Sequence, residues 1–210
     1  MRPTASTAIS LAKDLNDIYG LAQALFFAGL LAHFAHHPGE AERLASDLIE
    51  LSTRQNFAFF LAGGEVLRGW ARCACGETAE GIALIEHGIA DWLATGATLV
   101  VPYYLALKAE GLHFADRSSE ALEAISEAEA LVERSEERWW YAGLHRLRGV
   151  FLTAIGAKES KIEASFCEAI RIAREQKSVS LEKRAEATYA EYRRQKASGS
   201  GGRGFRLPLW

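Results

Sequence analysis

The residue types with the greatest chemical reach in this 210-residue sequence are six histidines and three cysteines. His33, His36 and His37 crowd one stretch, and His33 and His37 stand four apart, a spacing at which one face of a helix can chelate a metal ion. No acidic or cysteine ligand stands at the expected spacing, and Glu40 and Glu42 follow only across Pro38-Gly39. A solvated helix end is the simpler reading. Cys73-x-Cys75, with His87 and Cys167 elsewhere, lacks the paired CxxC units of a zinc site. Alternate residues of a helix point apart, so these are read as packing cysteines. No metal is expected.

Three basic residues, Arg68, Lys108 and Arg148, recur 40 residues apart. They could clamp phosphates; the simpler reading pairs them with Glu80, Glu120 and Glu163. Trp70, Trp92, Tyr103-Tyr104 and Trp139-Trp140 could cage a ligand, but aromatics at helix starts more often wedge between packed helices. "GSGGRG" has no preceding strand and no following helix, so it lacks the context of a phosphate loop. No Ser–His–Asp set and no paired-carboxylate site stands out. Catalytic and cofactor-binding residues are therefore expected to be absent, and the chain is read as a non-enzyme.

The elements that would position these residues are helices. Alanine, leucine and glutamate dominate segments whose apolar residues recur at three and four, and the four prolines avoid their interiors. "LRG" occurs twice, ending at Gly69 and Gly149. Gly29 and Ala109 complete a series of small residues with a period of 40, and Phe27, Leu67, Leu107 and Leu147 sit two before them. A breaker follows at seven to nine residues: Pro38, Gly76, Asp116 and Gly156.

A helix–turn–helix period of this length means stacked hairpins. The small residues are expected to let each hairpin's partner helix approach closely, since an interior glycine otherwise costs about 1 kcal/mol. The map is a leading helix near 4–16, hairpins at 18–54, 57–95, 100–135 and 138–176, and a final helix at 178–196. That last helix carries Leu181, Ala185, Tyr189 and Tyr192 on one side and reads as an end cap. The repeat domain is thus 1–196, followed by a flexible Gly/Ser/Arg-rich tail, 197–210.

The hairpins resemble tetratricopeptide repeats, lengthened from the usual 34 residues. Two phrases, "LRGWARCACGETAEGIALIEHGIADWLATGATLVVPYYLALKAEG" and "ERWWYAGLHRLRGVFL...EASFCEAIRIAREQKSVSLEKRA", sharpen the likeness. Over roughly residues 10–195 the chain resembles the C-terminal helical-repeat region of bacterial proteins that join a class III adenylate/guanylate cyclase domain to an ATPase domain. It has no Walker-type loop and no cyclase domain, so neither activity carries over. The resemblance implies an all-α fold, a right-handed α-solenoid, and a role as a regulatory protein–protein interaction scaffold of a cyclase/ATPase signalling system.

Extended peptides or helices dock on the concave side of such folds. The expected partner-binding groove consists of Gln23, Phe26, Leu30, His33, Trp70, Cys73, Tyr103, Glu110, His113 and Arg146. The alternative function is a sensor that binds a metabolite in that groove. A net charge of −3 gives no basic field for nucleic acid or an anionic membrane. The odd cysteine count argues against a disulfide framework, and no window reaches the ~20 apolar residues of a membrane span. A cytoplasmic protein with a protein or peptide partner, or a homodimer, is expected.

Overall fold

A computed structural model describes residues 3–198 and Leu209. Among the described residues the fold is all-helical, with ten α-helices and no strand. They group into two compact units, Met1–Thr98 and Leu99–Trp210. Unit 1 holds α1 (Pro3–Asp14), α2 (Ile18–Phe34), α3 (Pro38–Gln55), α4 (Ala58–Ala74) and α5 (Thr78–Ala94). Unit 2 holds α6 (Val101–Phe114), α7 (Ser118–Ser135), α8 (Tyr141–Ala154), α9 (Glu159–Glu175) and α10 (Val179–Ala197). In each unit every helix packs on the next in sequence; in addition α2 meets α4, α6 meets α8 and α8 meets α10. The first and last helices and the outer limits of the four hairpins match the sequence map to within three residues. Most of the predicted tail, 199–208 and 210, lies outside the described residues.

The turns are more regular than the sequence suggests. Left-handed backbone recurs at His36, Gly76, Asp116 and Gly156 within hairpins, and at Asn16, Asn56, Gly96 and Glu136 between them. Both series keep the 40-residue step. The first breaker is therefore His36, not Pro38, and Pro38 is the first residue of α3. At each within-hairpin turn the next residue's N–H reaches back five: His37 to Ala32, Glu77 to Arg72, Arg117 to Leu112 and Ala157 to Leu152. This is the Schellman closure, which satisfies a carbonyl the helix end would leave open. Asparagine, aspartate and histidine tolerate left-handed backbone better than most residues, which accounts for four of the non-glycine positions. Val100, a β-branched residue at φ 65°, is the strained one. Its N–H donates to Glu137 Oε1 at 2.8 Å, which helps hold it.

The small residues work less uniformly than expected. A Cβ on Gly69 of α4 would stand 2.6 Å from the Gly81 carbonyl and 2.7 Å from Ile85 Cγ1 on α5. Gly81 and Gly88 face α4 backbone at similar distances, so these two helices touch main chain to main chain. Gly149 faces its hairpin partner too, but meets the Phe166 ring. Gly29 does not: its neighbour is Leu67 of α4, so it seats the next hairpin, not its own partner α3. Phe27 also departs from its series, being 53% exposed where Leu67, Leu107 and Leu147 are buried.

In unit 1 the core gathers Leu44, Leu48, Leu67, Trp70, Ile85 and Trp92, each fully buried side chain contributing about 2 kcal/mol. Phe26 stacks on Trp92 with centroids 6.2 Å apart. In unit 2, Leu107, Leu147, Phe151 and Phe166 fill the equivalent space, and Tyr189 of α10 stacks on Phe166. Leu181, Ala185 and Tyr192 are buried beside it, so α10 covers the core on its predicted face.

Candidate functional site

Helix spacing places Tyr103 and Glu110, seven residues apart, on one face of α6. Both are buried. Arg146 of α8, a helix that packs on α6, brings a guanidinium that is only 2% exposed. Its Nη1 has no hydrogen-bond partner among the described residues. Burial draws its pKa down to about 10, against the attraction of Glu110, and the like charge of Arg184 lowers it further. Arg184 of α10 is itself held below its ordinary range by burial, with Glu110 pulling the other way. Burial, then the Glu110 carboxylate, pushes the Tyr103 phenol well up. The charge of Glu110 thus acts on two guanidiniums, the buried one of Arg146 and the half-buried one of Arg184. Next to Tyr103 stand Trp139 and Trp140, with centroids at 5.2 and 5.3 Å.

A cationic fork inside a protein is costly unless its donors are met. Its planar geometry matches a carboxylate through two parallel hydrogen bonds. Three of the four charged or phenolic members, Tyr103, Glu110 and Arg146, are in the predicted groove. Arg184 was missed, although its position beside the apolar stripe of α10, between Leu181 and Ala185, signals a charge drawn toward the core, where it is half-buried.

The remaining groove residues are distributed otherwise. Phe26, Leu30, His33, Trp70 and Cys73 are buried in unit 1. His33 packs edge-on against Trp70 at 4.4 Å, and Cys73 Sγ contacts the Thr78 carbonyl at 3.6 Å. Burial lifts the Cys73 thiol to about 11, so it is not a nucleophile at neutral pH. His113, half-buried in unit 2, shares a 2.9 Å hydrogen bond with Ser118. Gln23 is exposed on α2, where it borders a cleft of about 450 Å³ between α1 and α2. The cleft is lined mainly by apolar side chains, among them Leu11, Leu15, Phe27 and Leu31.

His33 and His37 do not gather for a metal, because α2 ends at Phe34 and His37 lies beyond the turn. All three cysteines are free. The basic stripe departs from the expected acids at Arg148, while Lys108 does act on Glu120, adding to Arg117 in lowering its carboxyl pKa. Arg148 binds Glu129 of α7 at 2.5 and 2.8 Å, not Glu163. Glu80 holds Arg72, and Glu120 holds Arg117. The reason is helix rotation: each arginine reaches the acid that packing turns toward it. No described helix is long and apolar enough to cross a membrane. No family model matches this chain, and no curated protein matches it.

Proposed function

We propose that the chain is a non-catalytic scaffold whose tetratricopeptide-like hairpins, in a right-handed solenoid arrangement, hold a protein partner. Unit 2 takes a partner segment that carries a carboxylate beside an apolar side chain. The observation that carries this reading is Arg146, buried with an unmatched donor. Leaving such a group unsatisfied costs about 1–3 kcal/mol, so an incoming carboxylate recovers what the folded chain leaves open. The apolar half of the reading rests on Trp139 and Trp140 beside Tyr103. The resemblance of the repeat phrases to cyclase–ATPase proteins supports a regulatory place beside such domains.

The test selects peptides on the full chain from a random display library and measures their affinity by fluorescence anisotropy. Selected peptides share an acidic residue next to a leucine-like one, and Arg146→Met weakens them about tenfold or more. The variant still folds, because an apolar chain of similar length removes a buried charge. Unchanged affinity of every selected peptide for Arg146→Met would sink the reading.

A second reading, a sensor for a small apolar metabolite, is favoured by the α1–α2 cleft, whose volume is that of a ligand pocket. A thermal-shift screen reads it: stabilisation by one apolar compound class, abolished by Leu11→Asp, supports the sensor.

A further inference from the structure

We propose that Glu65, His87 and Asp91 form a zinc site that clips α4 to α5. His87 and Asp91 lie one turn apart on the same face of α5, and Glu65 reaches across from α4. His87 Nδ1 is 2.9 Å from Glu65 Oε2 and 3.7 Å from Asp91 Oδ2. The three ligand atoms all lie within 4.8 Å of one another. Bonds of about 2.0–2.2 Å in tetrahedral array separate neighbouring ligands by about 3.4 Å. Small rotations of the side chains bring the set to that spacing.

Charge points the same way. Two carboxylates and a neutral imidazole balance a divalent cation, the metal replacing the Nδ1 proton. Without it, one imidazole serves two carboxylates, and neither has a lysine or arginine within 4 Å among the described residues. Glu40, Glu120 and Glu168 each hold an arginine. The glycine contacts between α4 and α5, Gly88 beside His87 among them, fix the backbones that carry the ligands. The Glu65 side chain is 15% exposed, while those of His87 and Asp91 are 62% and 49% exposed, which leaves a coordination position to water. One nitrogen and two oxygens suit Zn²⁺, whereas Ca²⁺ and Mg²⁺ need about six oxygens.

The experiment titrates the reduced, chelator-stripped full chain with ZnCl₂ by calorimetry near neutral pH, in a Cys75→Ser/Cys167→Ser background that removes the exposed thiols. One equivalent is expected to bind and to raise the unfolding midpoint by about 5 °C at saturation, with MgCl₂ inert. His87→Ala and Asp91→Asn each weaken binding about tenfold or more. Both side chains face solvent, and circular dichroism verifies that the variants fold. Binding that survives His87→Ala and Asp91→Asn, or that is lost instead in His36→Ala/His37→Ala, overturns the site.

Discussion

Gly69→Ala tests the main-chain contact between α4 and α5. The added methyl would sit 2.6 Å from the Gly81 carbonyl oxygen, 2.7 Å from Ile85 Cγ1 and 2.9 Å from Ile85 N. Ordinary contact begins near 3.4 Å. Two of the three obstacles are backbone atoms, so no rotamer change clears the space and α5 itself must move. Overpacking of this kind costs about 3 kcal/mol, and the helix-propensity gain of alanine returns about 1 kcal/mol. The net expectation is a loss of about 2 kcal/mol, or about 4–8 °C in midpoint.

Gly39→Ala is the control. It lies in the first turn of α3 with nothing within 4 Å of a built Cβ, so it should gain about 0.5–1 kcal/mol. Urea unfolding followed by far-ultraviolet circular dichroism reads both. Gly149→Ala should fall between them, because its obstacle is the Phe166 ring, which can shift where backbone cannot. If Gly69→Ala is as stable as the parent chain, or loses no more than Gly39→Ala, the close approach of α4 and α5 is not what the glycine serves.

Two other outcomes follow from charge and burial. Burial lowers the pKa of His145, outweighing the pull of Glu129 and Glu168, so the unfolded chain binds the proton more readily. Its contribution is complete above the ordinary value near 6.5 and is lost as pH falls below it. Stability should therefore drop as pH falls from about 6.5 toward 5, and His145→Gln should flatten that slope; an unchanged slope would refute the assignment. Cys75 and Cys167 are exposed while Cys73 is buried with a raised pKa. Alkylation should accordingly label two thiols quickly and the third only on unfolding, and rapid loss of all three would contradict the packing of Cys73 against α5.

What the sequence could settle was local. Helices, their ends and the 40-residue step were legible because apolar periodicity, caps and turn residues act within a few positions. The turn at His36 was hidden behind Pro38, since a proline is the louder signal although the left-handed residue makes the bend. Folding decided which side chains meet. The neighbour of Gly29, the acid that Arg148 finds, the cluster of Arg146 with Glu110 and Arg184, and the triad of Glu65 with His87 and Asp91 all join different helices. Their contacts depend on how each helix is rotated about its axis, and a few tens of degrees exchange one partner for another. That rotation is fixed by packing summed over whole helix faces, which no single stretch of sequence contains.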